Sequence, residues 1–317
     1  MDARYYICLL TAVMRTAKII SFCTLFVLLA PLQAQKKLFK GKPIEFGVTL
    51  GAANYMGDLS KSVAVQEFNP MGGLICRFNL SDWVTLRGNA VFGQISGDDK
   101  NYADVDAFRK QRNLNFKSNL VEFSGIVEWN FRGFGETQTA NPHSPYLFGG
   151  LGVFKFNPKT LFKYMPTDPK GAALHGADLQ KYDNQWIELQ PLGTEGQETT
   201  KHNDRRRYAL TQVSIPLGIG YKQQFNGLWA WGVELGVRKT FTDYLDDVSL
   251  DYVDNQIVGG NSGALAAALK DRGPELGYQN YDNGLGRGNS ANKDWYMFLN
   301  FTITRKIVGG KTVCFQF

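Results

Sequence analysis

Apolar and polar residues alternate with a period of two along most of this chain, and that pattern belongs to β-strands with two unlike faces. In residues 43–56, Ile44, Phe46, Val48, Leu50 and Ala52 share one face, and Glu45, Gly47, Thr49 and Gly51 the other. Residues 114–131 set Val121, Phe123, Val127, Trp129 and Phe131 against Glu122, Ser124, Glu128 and Asn130. Residues 207–224 set Val213, Ile215, Leu217, Ile219 and Tyr221 against Ser214, Pro216, Gly218, Gly220 and Lys222. Residues 228–243 do the same with Trp229, Trp231, Val233, Leu235 and Val237 against Gly232, Glu234, Gly236, Arg238 and Thr240. Residues 82–97 follow suit, with Val84, Leu86, Ala90 and Phe92 opposite Thr85, Arg87 and Asn89. Weaker alternation marks 68–79, 144–157 and 293–306.

These stretches predict an all-β fold: an eight-stranded, up-and-down, antiparallel transmembrane β-barrel over 43–306. The connections alternate in length. Short links fall at 80–81, 132–143 and 225–227, and long ones at 57–67, 98–113, 158–206 and 244–292. Short turns on one side and long extracellular loops on the other are the outer-membrane pattern. A periplasmic β-sandwich does not account for it. Short helices are possible inside the loops at 103–112 and 262–270. Two aromatic girdles are expected. Trp83, Trp129, Phe131, Tyr146, Tyr221, Trp229 and Trp231 would form the periplasmic one. Tyr55, Phe154, Phe156, Phe241, Tyr244, Trp295 and Tyr296 would form the outer one. Eight strands leave a lumen that side chains fill. Glu45, Arg87, Glu122, Glu128, Glu234 and Arg238 are expected to point into it and pair as a plug.

The N-terminus reads as an address. From a second candidate start at Met14, Arg15 and Lys18 precede the apolar run 19–30, and Ala34 offers a cleavage site, so residues 1–34 are assigned to a secretory signal peptide. The apolar run is short for a membrane-spanning helix. Residues 35–42 form a basic periplasmic arm with Lys36, Lys37, Lys40 and Lys42, and residues 307–317 a periplasmic tail. The mature part keeps Cys76 and Cys314, too few for a disulfide framework. Cys314 could pair with Cys76, bond a partner protein or stay free. The net charge of +6, scattered along the chain, does not call for nucleic acid.

Signals for catalysis are few. His143, His175 and His202 fall outside the strands and outside metal-ligand spacings, and the Gly-rich stretch 284–288 lacks the strand–helix frame of a phosphate cradle. No enzyme activity and no cofactor are expected. Asp243, Asp246 and Asp247, with Asp251 and Asp254, offer the oxygens that Ca²⁺ takes, although their spacing is not that of a calcium loop. A hydrated loop base is the other reading. Lys201, Arg205, Arg206 and Arg207 could meet anionic lipid phosphates or simply be solvated.

Several segments resemble the PorG-like barrel family of Bacteroidota. They are EFGVTLG at 45–51 with NYMGDL at 54–59, YLFGGLG at 146–152, ELQPLGTEGQ at 188–197 and ELGVRKTFTDYLDDVS at 234–249. The resemblance implies a cell outer-membrane barrel, embedded in outer-membrane lipids, in the type IX protein secretion machinery. There it would anchor a periplasmic ring made of a PorK-like lipoprotein and a PorN-like protein. Cys314 and the four arm lysines are the candidate contacts. The alternative is a surface-binding or envelope-integrity barrel that acts through its two longest loops.

Overall fold

The computed structural model describes residues 44–307 apart from 61, 103, 105, 136–140 and 282. The signal peptide, the lysine arm and the tail with Cys314 lie outside the described residues.

Eight long strands form the barrel wall: β1 (Ile44–Met56), β2 (Asn69–Asn79), β3 (Val84–Asp98), β4 (Asn115–Asn130), β5 (His143–Leu161), β7 (Thr211–Gln224), β8 (Trp229–Thr240) and β9 (Trp295–Ile307). A ninth, β6 (Trp186–Glu188), is a short strand inside a loop. Each wall strand pairs antiparallel with its sequence neighbour, β5 pairs with β7, and β9 returns to β1 from Ile44↔Ile307 to Met56↔Trp295. The sheet is therefore closed, and no wall strand is left with a free edge. The expected eight-stranded antiparallel barrel is the fold.

The pleat decides what each residue meets. Outward positions are apolar and open: Leu50 is 64%, Phe123 64% and Leu151 73% exposed. Inward positions are polar and buried, among them Glu45, Arg87, Glu122, Glu128, Glu234 and Arg238. On β4 the outward apolar run goes from Val121 to Trp129, with Phe131 just past the strand end. That is about 33 Å along the strand, or about 25 Å once a strand tilt near 40° is allowed for.

The aromatic expectation holds at one end only. At the short-turn end Trp83, Trp129, Phe131, Tyr221 and Trp229 face outward, while Tyr146 is buried inside. At the other end Tyr55, Phe154, Phe156 and Tyr296 are all buried inward, and of the predicted outer girdle only Phe241 is exposed, with Tyr244 and Trp295 part-exposed. The reason is parity. Phe154 and Phe156 are an even number of residues from inward Phe148, so the pleat turns them into the barrel mouth. There Phe154 meets Tyr296 edge-on, with ring centroids 5.2 Å apart.

The long connections are a folded body rather than solvated loops. β5 continues upward so that Lys159–Leu161 pair with Trp186–Glu188. Helices α1 (Ala107–Arg112), α2 (Asn255–Ser262) and α3 (Ala264–Lys270) add short supports. Asp106 caps α1 by accepting from the backbone N–H of Phe108 and Arg109, and Asn113 ends it in a left-handed conformation. Leu59, Leu114, Phe162, Leu179, Leu189, Leu245, Val248 and Leu269 join the aromatic mouth in one apolar cluster. The result is a cap with its own core, continuous with the upper barrel.

Candidate functional site

Two places concentrate polar chemistry: the lumen and the cap. In the lumen, the Nε of Arg77 donates to Glu128 at 2.9 Å and its Nη2 to Glu234 at 3.0 Å. The Nη1 of Arg87 reaches the same two carboxylates at 2.8 and 2.6 Å. Lys222 completes Glu128 at 2.6 Å, and the Tyr146 hydroxyl donates to Glu234. Higher up, Arg238 pairs with Glu122 at 3.3 Å, with the Tyr296 hydroxyl on the same carboxylate. Glu45 accepts from Asn79 and Thr304. The expected charge plug is present. Arg77 is added to it, hidden from the sequence reading because β2 alternates weakly, and Lys222 is a full member.

Aromatic rings fill what the charges leave. The Phe148 ring packs over Gly236, where an added Cβ would come within 2.7 Å of it and force the ring to shift. Phe134, from the turn after β4, is buried beneath Lys222, whose Nζ lies 4.8 Å from the ring centroid. A void among Thr49, Asn89, Glu234 and Asn300 measures about 10 Å³, room for roughly one water. Among the described residues, charged and aromatic side chains fill this level of the lumen.

In the cap, Arg287 is the centre of a buried knot. Its Nη1 meets the Glu195 carboxylate at 3.0 Å and its Nη2 the Asp247 carboxylate at 3.7 Å. Glu195 also accepts from the backbone N–H of Ser249 and Leu250. Asp247 accepts from the hydroxyls of Thr194 and Tyr208. The Arg287 carbonyl in turn accepts from Arg112, which forks onto Asp99 at 2.6 and 2.8 Å. The Gly-rich stretch 284–288 serves this knot. A Cβ on Gly288 would sit 2.5 Å from Asp58 and 2.8 Å from the Ser249 nitrogen. The two segments 188–197 and 234–249 thus lock onto each other through Thr194–Asp247 and Glu195–Ser249.

The candidate calcium residues do not converge. Asp246 accepts from Tyr55 at 2.6 Å, from Leu59 and from Val248, Asp247 belongs to the knot, and neither Asp243 oxygen has a close hydrogen-bond partner among the described residues. Among the described residues no three His, Cys, Asp or Glu side chains form a group able to hold a metal ion. A hydrated base is also not what is found, since all three are buried. Burial pushes the Asp243 carboxyl up to about 7 and that of Asp247 up to about 6, the latter against the pull of Arg287. Asp246 and Asp294 share the Tyr55 hydroxyl, and burial with neighbouring carboxylates holds both well above the usual carboxylate range.

The other singled-out residues are dispersed. His175 lies under Phe162 with its Nδ1 accepting from the Met165 N–H, and burial lowers its pKa. His143 sits at the short-turn end beside Arg132, and His202 in a cap turn. Arg205 pairs with Asp251 at 2.6 Å and Arg207 with Glu198 at 3.2 Å, while Lys201 and Arg206 are exposed. Cys76 makes no disulfide among the described residues and is half-buried on the outward face of β2, opposite Phe46.

Wall, lumen and cap define the class: a small closed barrel, greasy outside and charged inside. Residues 19–169 match the model of a family described as a domain of unknown function (DUF6089). A search of curated proteins found no match. Similar solved structures include Neisserial surface protein A, at 9% identity and a TM-score of 0.37, covering 83% of this chain and 97% of that one. The outer membrane protein OprG from Pseudomonas aeruginosa has 8% identity and a TM-score of 0.37, covering 85% and 98%. A major outer membrane protein from Thermus thermophilus has 13% identity and a TM-score of 0.36, covering 83% and 99%.

Proposed function

We propose that this protein is a non-catalytic barrel of the cell outer membrane that works by presenting surfaces to partners and not by passing solutes. One observation carries the reading: an apolar outer wall about as tall as a bilayer core encloses a lumen filled, among the described residues, by paired charges and aromatic rings. An exposed apolar belt of this extent is too costly in water and calls for lipid. A plugged interior leaves transport without a route.

Within that reading, the finer role we propose is anchoring a periplasmic ring of the type IX secretion machinery, with a PorK-like lipoprotein and a PorN-like protein as partners. Its support is the sequence resemblance. The two most specific segments of that resemblance meet each other in the cap through Thr194–Asp247 and Glu195–Ser249. Chromosomal deletion followed by scoring of type IX cargo at the cell surface tests the role. Cargo held in the periplasm and released on complementation agrees with it. Normal secretion contradicts it.

The folded cap favours a second reading, a surface-binding barrel. A body with its own apolar core is more than loops need for closure. Deleting 158–206 or 244–292 would remove that core, so surface substitutions are the cleaner test. Loss of binding to envelope or host material with normal secretion would select this reading.

A further inference from the structure

We infer that the side of the cap carries a binding groove for an anionic saccharide. The groove has a volume of about 620 Å³, within the range of small-ligand sites. It opens on the outward faces of β3 and β4, immediately above the apolar belt. Phe92 and Val121 are the last belt residues on these strands. Ser96 and Asp98, and Asn115 and Lys117, follow above them and line the groove.

Three kinds of group meet there. The first is planar amide. The Nδ2 of Asn115 and the Oδ1 atoms of Asn69 and Asn101 have no protein partner among the described residues, while the other amide atom of each is fixed: Asn115 by Thr160, Asn69 by Ser96 and the Glu67 carbonyl, and Asn101 by the Glu67 carboxylate. Amides pre-oriented in this way give and accept hydrogen bonds as sugar hydroxyls require. The second is an aromatic wall. Trp186 is 47% exposed and is held by Lys117, whose Nζ lies 5.2 Å from the ring centroid. A half-open indole suits the apolar face of a pyranose ring. The third is positive charge. Among the described residues no carboxylate lies within 4.0 Å of Lys100, Lys117 or Lys163, whereas the fourth cation, Arg272, is taken by Glu275 at 2.8 Å. Unpaired lysines at the rim of a polar groove fit phosphate or carboxylate substituents.

A second observation marks the floor. Glu67 is 2% exposed, and its Oε1 accepts from the Asp98 N–H and from Asn101. Its Oε2 is buried and has no hydrogen-bond partner among the described residues. Such an acceptor is costly to leave alone, and a ligand hydroxyl, direct or through one water, would satisfy it. An acidic peptide is the weaker occupant. It would find the lysines and could pair its backbone with the amides, but an acidic side chain offers the indole no apolar ring face.

The same headgroup chemistry could arrive on an outer-leaflet glycolipid or as a free glycan. Only the first source rests on the membrane reading above. The test uses the full chain in detergent, titrated with a glucosamine disaccharide bearing two phosphates, with its unphosphorylated counterpart, and with the phosphorylated headgroup acylated in phosphatidylethanolamine vesicles. The expected result is saturable binding of the phosphorylated sugar with a tryptophan fluorescence change that Trp186→Phe abolishes. Lys117→Ala and Lys163→Ala should each weaken binding about tenfold, with an unchanged circular dichroism spectrum. Tighter binding of the vesicle form identifies a lipid headgroup, and equal binding a free glycan. Lack of saturable binding in both presentations, equal affinity for the neutral sugar, or displacement by a polyglutamate peptide but not by the sugar would overturn the inference.

Discussion

At the scale of single residues, the cap depends on charges removed from water. Arg287 neutralises Glu195 and Asp247 at a site closed to solvent. Arg287→Ala leaves both carboxylates buried without their cation, at a cost of about 3–5 kcal/mol. Hydrogen exchange should then show lost protection at the Ser249 and Leu250 amides, which Glu195 accepts, while the strand amides stay protected. Unchanged protection would show that the knot is not what holds the cap. The acids also set a pH dependence. Asp243 and Asp247 have native pKa values of about 7 and about 6, above the ordinary aspartate value of 3.8. The native cap therefore holds protons that the unfolded chain has released. Its stability is greatest near pH 4 and falls as pH rises through 7, by up to about 1.4 kcal/mol per pH unit for each group. Denaturant unfolding of the cap at pH 5 and pH 8 checks the sign, and Asp243→Asn should flatten the slope. The inward charges were legible in the sequence because parity alone places them: Arg87 follows Thr85, and Glu128 precedes Asn130. The cap residues were not. Glu195, Asp247 and Arg287 are distant in sequence, and nothing local distinguishes an aspartate in a buried knot from one at a wet loop base.

At the scale of elements, the period-two pattern located all eight wall strands to within a few residues, since a pleated strand between lipid-like and polar surroundings must alternate. It gave the wrong environment for Phe154, Phe156, Tyr55 and Tyr296 because girdle reasoning used their height along the strand and ignored their face. β5 runs on to Leu161, past the end of the stretch where the sequence alternates, and there pairing with Trp186–Glu188 keeps it extended. The helices at 107–112 and 264–270 fall within the segments that sequence suggested, whereas α2, with two glycines in its eight residues, carried no such signal. Face and height together make a prediction on β5. Leu151→Arg, in mid-belt, should destabilise the barrel by about 2–4 kcal/mol in lipid. Exchanging outward Lys155 for Gln, above the belt, should change folding in vesicles by less than about 0.5 kcal/mol. Urea titrations of the vesicle-embedded protein would distinguish them, and equal effects would mean that the belt does not end where the lysines begin.

At the scale of the whole molecule, the structure divides the work. In the proposed reading, the wall would hold the protein in lipid, the lumen locks the wall, and the cap would offer chemistry to partners. The lumen is built for rigidity. Two glutamates serve three cations, and the remaining space is aromatic. Functional identity was the least legible level in the sequence, because motif segments such as 188–197 and 234–249 prove to make internal contacts of the cap and lumen, and internal contacts do not name a partner. The central claim is that this is a membrane barrel without a pore. Its most direct test is ion conductance of the full chain in planar lipid bilayers, with insertion verified by co-flotation with vesicles of the same lipid. The account predicts a flat baseline at applied voltages that leave the bilayer intact. Discrete, reproducible conductance steps from the inserted protein would contradict it.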